Sequence, residues 1–188
     1  MLLTERAEFD LARRVRDGGA PIGEVMSFMS QLYFRGKLSY VRAFSAPPPG
    51  CEGALVITPG RGLVPVDQPI TTGDLRAFAL VPVDHENREY RGPLERDALK
   101  LRDLAGPTTS VVLLGSIASS KYVEVLLGVF GDRLLFPAEF VGRGDMSRGG
   151  LMLRAAEAGT ELAYQRLSGA VRHGKRPPKL PRLPRRAS

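Results

Sequence analysis

"SVVLLGSIASSKYVEVLLGVFGDRLLFP", residues 110–137, decides how the rest of the chain reads. It opens on a continuous β-branched and leucine run that ends at Gly115-Ser116, the pattern of a central strand covered on both faces. Ser119 or Ser120 offers a side-chain cap for a helix running to about Phe130, and Gly131-Asp132 stops it. "RLLFP" follows as the next strand. Strand, helix and strand in this order predict a βαβ unit and parallel pairing.

Toward the N-terminus the chain reads as helical. Ala7, Leu11, Ala12 and Val15 share one stripe that ends at Gly18-Gly19. Ile22, Val25, Met26, Met29, Leu32 and Tyr33 recur at helical spacing, and Gly36 is expected to close that helix. Its methionine and aromatic stripe reads as core. "LSYVRAF" (38–44) alternates like a strand, and "SAPPPGCEG" (45–53) reads as a linker.

The middle alternates between the two states. "ALVIT" (54–58) is a short buried-strand run, followed by a loop over 59–71. Thr72-Gly73-Asp74 starts a short helix through Phe78, and "ALVPV" (79–83) reads as another strand. Pro93 is expected to open a helix carrying Leu94, Ala98, Leu101 and Ala105, with Gly106-Pro107 as its stop. Beyond the glycine-rich stretch, "LMLRAA" and "ELAYQRL" flank "EAGT" as a predicted edge hairpin.

These elements make the fold class α/β: a single three-layer-like domain with a mixed, partly parallel sheet, N-terminal helices and a C-terminal hairpin. The expected organisation is a helical segment over 1–45 packed on the core, an α/β core over 52–170, and a basic, proline-rich, disordered tail over 171–188.

Charge is distributed unevenly. The net +7 comes from Arg172, Lys175, Arg176, Lys179, Arg182, Arg185 and Arg186, with no acid among them. Setting these seven aside leaves 20 bases against the chain's 20 acids, so the body is neutral. An unmixed basic tail points to nucleic-acid contact through phosphates; its P-x-x-P spacing also allows a protein partner. No apolar run approaches the ~20 residues of a membrane helix. The lone Cys51 and an N-terminus without signal-peptide form give the expectation of a cytoplasmic protein without internal disulfides.

In open α/β sheets, ligands sit beyond the carboxyl ends of the strands. Three segments are expected there: 59–62 with Arg61 and Gly62, 115–119 with Gly115, Ser116 and Ser119, and 137–150 with Arg143, Gly144, Asp145 and Arg148. Glycine allows close backbone approach, and arginine offers a donor fork for carboxylate, phosphate or base edges. Lys121 beside a helix N-terminus adds an anion-friendly corner.

"GSIASSKY" has the spacing of a phosphate loop, but Ser120 replaces its second glycine and Tyr122 its metal-binding hydroxyl residue, which argues against nucleotide hydrolysis. In "GRGDMSRGG", Arg143 and Arg148 are placed to clamp a ligand and Asp145 to orient a water. The alternative is an internal pair between Asp145 and an arginine that stiffens the loop. His85 and His173 do not form a metal cluster, Cys51 lacks a catalytic partner, and no cofactor or metal is expected.

The segments "GSIASSKYV" and "FVGRGDMSRGG" resemble a bacterial family of uncharacterised proteins, and the likeness covers most of the chain. The order of "RGLVPVD", "VVLLGS" and a terminal strand pair is also similar to the uracil-DNA-glycosylase-like α/β domains found with archaeosine-type tRNA-modification enzymes. That resemblance implies nucleobase or nucleic-acid chemistry. The chain lacks a glycosylase motif that matches residue by residue, so no catalytic assignment carries over. The expectation is therefore a protein that binds a nucleotide, nucleobase or nucleic acid, with a hydrolytic or glycosylase-like reaction if it is an enzyme. The alternative is a non-catalytic nucleic-acid-binding or protein-interaction module using the tail.

Overall fold

The computed structural model describes residues 7–180. Among them, six α-helices carry more of the chain than the strands, which divide into three small sheets. One of these sheets is mixed, and the fold is α/β in that sense. No helix among the described residues is long and apolar enough to cross a membrane.

Helix α1 (Asp10–Asp17) buries Leu11, Ala12 and Val15 and stops where Gly18 donates to the Arg14 carbonyl at 3.0 Å. Strand β1 (Ala20–Pro21) leads into α2 (Ile22–Phe44). This helix differs from the sequence reading. It runs through Gly36 to Phe44, so "LSYVRAF" is helix and not strand. Tyr33, Lys37, Tyr40 and Phe44 continue the helical spacing begun at Ile22, and that longer period overrides the local alternation. Gly36 does not end the helix, because a second helix packs against it there. Gln31, with φ 45° and ψ −127°, kinks α2 just before Tyr33. A positive φ at a residue with a Cβ costs on the order of 1–3 kcal/mol, so packing on both sides must hold it.

Strands β2 (Leu55–Thr58) and β3 (Gly62–Pro65) form an antiparallel hairpin, with Val56 opposite Val64. Strand β4 (Pro69–Ile70) pairs with β1. Helix α3 (Thr72–Leu80) opens on a capping box in which Thr71 and Asp74 satisfy each other's backbone N–H groups. The predicted strand over 79–83 is absent: Ala79 and Leu80 finish α3, and Leu80 is 81 % exposed. Without a partner strand, an apolar run has no backbone bonds to make.

Helix α4 (Arg88–Ala105) starts at the Asn87 cap, whose side chain accepts from the Glu89 N–H at 2.9 Å. Pro93 therefore lies inside the helix instead of opening it. The buried Tyr90 anchors the first turn, and Gly106 follows the last residue.

Strand β5 (Val111–Val112), helix α5 (Ser120–Phe130) and strand β6 (Leu134–Pro137) form the predicted strand–helix–strand unit, and β5 pairs parallel to β6. However, β5 is a short edge strand; β6 is central in the order β5-β6-β7. After Leu113 donates to the Leu135 carbonyl at 2.8 Å, the chain leaves the sheet.

The predicted hairpin over 151–167 is replaced by helix α6 (Asp145–Ala158) and strand β7 (Tyr164–Arg166), which pairs antiparallel to β6. Arg148, Leu151, Met152 and Ala155 are the buried stripe of α6 at i, i+3, i+4 and i+7. Gly149 and Gly150 look like loop residues in sequence. In the fold, a Cβ on Gly149 would come within 2.6 Å of the Leu32 carbonyl oxygen and of the Tyr33 Cα. Glycine here lets α6 cross α2 at backbone distance.

Two apolar clusters result. One gathers α1, the start of α2, β1, β4, the hairpin and α3 around Val15, Ile22, Val25 and Ile70. The other joins α4, α5, α6 and the three-stranded sheet around Leu94, Ile117, Phe136 and Met152. Residues 171–180 run without regular secondary structure. They lie on the body: Arg172 pairs with Glu124 at 2.7 Å, and Leu180 packs on the second cluster. Arg182, Arg185 and Arg186, and with them the end of the basic tail, lie outside the described residues.

Candidate functional site

The three expected loops have different fates. Because β5 and β6 are parallel neighbours, segments 113–119 and 138–144 leave the same edge of one sheet. Residues 59–62 instead form the turn of the β2–β3 hairpin, in a separate sheet. There Gly62 takes φ +75°, and Arg61 pairs with Asp74 at 2.7 Å. Backbone donation from Thr71, with Arg61 adding to it, holds the Asp74 carboxyl below its usual range.

As Gly62 does with Pro93 and Asp97 of α4, the glycines at the other two loops approach the protein's own atoms. A Cβ on Gly115 would lie 2.7 Å from the Tyr122 hydroxyl oxygen. Ser116 supplies a backbone hydrogen bond to that hydroxyl, and burial pushes the Tyr122 phenol up. Ser119 caps α5, accepting from the Lys121 N–H at 3.4 Å, while the Lys121 side chain is exposed.

Gly144 caps α6, and its carbonyl accepts from the Arg148 N–H at 3.0 Å. "GRGDMSRGG" is thus a helix start. Arg143 is held by its own helix entry: Nε donates to the Glu139 carbonyl at 2.9 Å and Nη1 to the Ser147 hydroxyl at 3.3 Å. Arg148 pairs with Asp145, and its guanidinium lies over the Tyr33 and Phe140 rings at 5.6 and 5.7 Å. The internal Asp145–arginine pair is present, with the arginine 5 % exposed and its Nε without a hydrogen-bond partner.

A cavity of about 500 Å³ opens beside this cluster. Tyr33, Phe34, Lys37, Tyr40 and Phe44 line it from α2, and Leu55, Ile57 and Leu63 from the hairpin. Leu101 and Ala105 of α4, residues 111–115, Tyr122 of α5, Tyr164 and the carboxylates Glu52 and Glu161 add to the walls. Asp145, Arg148 and Arg61 are not among its lining residues. A second hollow at the end of α1 is lined by Asp10, Arg13, Arg14 and Asp17. It is open, and Arg14 is already bound to Asp10 and Glu24.

Lys37 is the one cation in the wall of the larger cavity. Its Nζ lies 3.9 Å from the Tyr33 ring centroid and 5.6 Å from that of Phe34. Burial brings its amine down to about 8, Asp145 opposes that, and Arg148 adds to it. At neutral pH roughly a tenth of such amines are unprotonated, against about one in a few thousand for an ordinary lysine. Burial also pushes the Tyr33 phenol well above its usual range, so it stays a hydrogen-bond donor.

At the far wall, the Tyr40 and Tyr164 hydroxyls meet at 2.6 Å. Tyr164 donates to Glu161 at 2.7 Å, so the proton between the two phenols comes from Tyr40. The Leu162 N–H donates to Tyr40 at 3.0 Å, and this chain ties α2 to β7.

Lys37, Tyr33 and Tyr122 were not among the sequence-predicted site residues. A signal for the first was present: Lys37 follows Tyr33 by four residues on an otherwise apolar stripe, where a charge has no reason to be unless it faces something. No group of His, Cys, Asp and Glu among the described residues could hold a metal ion. No known family, curated protein or solved structure matches this chain.

Proposed function

We propose that the chain is a small-molecule-binding protein whose ligand occupies the cavity between α2, the β2–β3 hairpin and α5. The ligand has a flat or elongated apolar body and one polar end directed at Lys37. The carrying observation is the cavity itself: about 500 Å³ with mainly apolar and aromatic walls and a single cation. That is the usual composition of a ligand site, in which a few polar groups fix orientation. A nucleobase or nucleoside meets this description better than a nucleotide, because one amine beside buried phenols is poor compensation for a di- or triphosphate. Asp145 is outside the wall and bound to Arg148, so the binding reading needs no hydrolytic role for it.

A second reading, nucleic-acid contact through the tail, has its own support. Lys175, Arg176 and Lys179 are exposed along the surface-bound segment. Deleting 171–188 is a poor test of it, because Arg172 and Leu180 are bound to the body.

One thermal-shift panel separates the readings: nucleobases, nucleosides, nucleotides, small aromatic carbonyls and acids, and a short oligonucleotide. A cavity ligand at a hundredfold its dissociation constant adds about 2.7 kcal/mol, or roughly 5–10 °C in a domain of this size. The hit should disappear in Ala105→Phe, which fills the cavity, and persist when Lys175, Arg176 and Lys179 become Gln. An oligonucleotide hit that fades with salt and with those three substitutions would favour the tail instead.

A further inference from the structure

We propose that Lys37 is a covalent docking point, at which the ε-amine condenses with an aldehyde or ketone carbonyl on the ligand to form a Schiff base. The inference rests on the cavity reading above and names the chemical class of the ligand's polar end.

The geometry limits what Lys37 can do. Its Nζ lies over the Tyr33 ring on the cavity wall. No salt bridge holds it among the described residues, although the chain has acids nearby. The charged groups facing it are Asp145 and Arg148 of α6. Asp145 is paired with Arg148; its charge still favours the ammonium form of Lys37, but no carboxylate among the described residues forms a salt bridge with the lysine. The phenol of Tyr33 is its other titratable neighbour, and it remains protonated.

A lysine needed only for an ion pair with an acid ligand would be better served by a full charge. Here burial is the main force against the ammonium form and Arg148 adds to it, while Asp145 opposes both; desolvation of this kind is how lysines become nucleophiles.

The chemistry balances without an oxidant or a cofactor. The neutral nitrogen's lone pair forms a bond to the carbonyl carbon while the C=O π pair moves to oxygen. A proton passes from nitrogen to that oxygen to give the carbinolamine. A second proton, taken from water, lets the C–O bond break as the nitrogen lone pair forms C=N; oxygen leaves as water, and the iminium nitrogen returns its remaining N–H proton to water. The sum is amine plus carbonyl giving imine plus one water. Apolar walls favour retention of the imine, because its hydrolysis needs that water back.

The other four lysines, Lys100, Lys121, Lys175 and Lys179, are exposed and serve as internal controls in one chain. The full chain would be incubated with benzaldehyde and cyanoborohydride, which reduces an imine to a stable secondary amine, and the adducts mapped by peptide mass spectrometry. The expected result is labelling of Lys37 at least tenfold faster than at any other lysine. Its rate should rise to about pH 8 and level off there. Lys37→Arg should lose that adduct alone.

Labelling of Lys37 no faster than of Lys100 or Lys121 would overturn the proposal. Benzyl alcohol, which has the same ring but cannot condense, tells the two failures apart by thermal shift. If benzyl alcohol stabilises the chain and benzaldehyde fails to label Lys37, the covalent step is wrong and the cavity reading stands. If benzyl alcohol does not stabilise and Lys37 is not labelled, both fall.

Discussion

Two segments of this chain have nearly the same chemical vocabulary and opposite fates. "PGRG" (59–62) and "GRGDMSRGG" (142–150) both join glycine to arginine, and both follow a strand. The first is a hairpin turn whose Arg61 reaches Asp74 across partly exposed surface. The second becomes the start of a 14-residue helix, burying Arg148 between two rings and Gly149 against the α2 backbone. Composition marks both as places where backbone comes close to something. What it approaches is set by the partner element: α4 at the turn, where a Cβ on Gly62 would meet the Pro93 carbonyl and Asp97, and α2 at α6.

The comparison breaks most readily at the glycines. Gly149→Ala should be severely damaging, because its Cβ meets backbone on α2, which cannot swing aside. Overpacking of that kind costs about 3 kcal/mol, a fall of roughly 6–12 °C in midpoint. Gly144→Ala, at the third residue of the same motif, has an ordinary φ of −79° and nothing within 4 Å of the new Cβ. It should change stability by less than about 0.5 kcal/mol. Equal effects in a urea titration would mean that the α2–α6 crossing is misplaced.

The arginines come next. Arg148→Ala empties a buried site between Tyr33 and Phe140 and is expected to cost about 2–3 kcal/mol. Arg148→Met keeps most of the volume and leaves only the exposed Asp145 unpaired, so it should recover most of that loss. Arg61→Ala removes a partly exposed pair and should cost less than about 1 kcal/mol. A larger loss at Arg61 than at Arg148 would reverse the assignment of buried and surface roles.

The effect at Lys37 is modest and has the clearest pH signature. Lys37 has its folded-state value lowered from 10.5 to about 8. Below pH 8 the folded chain carries a partly buried charge at a cost. Between pH 8 and 10.5 the unfolded chain binds a proton that the folded chain has released, so stability rises with pH in that window. Lys37→Met should therefore raise the midpoint by roughly 2–4 °C at pH 7, and the gain should shrink to nothing by about pH 10.5. A variant that is less stable than the parent at pH 7 would show that the amine is not strained by burial, and would weaken the covalent proposal with it.

Much of the local structure was legible in residues alone. The Ser119 cap, the Thr72–Asp74 helix start, the Gly106 stop, the "RLLFP" strand and the parallel β5–β6 pair depend on neighbours a few positions away. A capping hydroxyl or a backbone without a Cβ acts the same way wherever the segment is placed. The strand readings of 38–44, 79–83 and 151–156 failed for one shared reason, whereas "ELAYQRL" does hold strand β7. A short apolar run satisfies either period, and only the presence of a partner strand or a facing helix chooses between them.

The candidate site divides along the same line. Sequence marked the loops after β5 and β6, because glycine and arginine there are unusual enough to ask for a cause. It did not mark Lys37, whose meaning comes from the hairpin and α5 closing a cavity over it. Local chemistry by itself determined some element ends, such as the Ser119 cap of α5 and the Gly106 stop of α4. Tertiary structure decided whether Gly36 and Gly149 end a helix or let two cross. It also decided whether a lysine is a solvated charge or a strained one, because burial and contact are properties of the other chain segments that arrive.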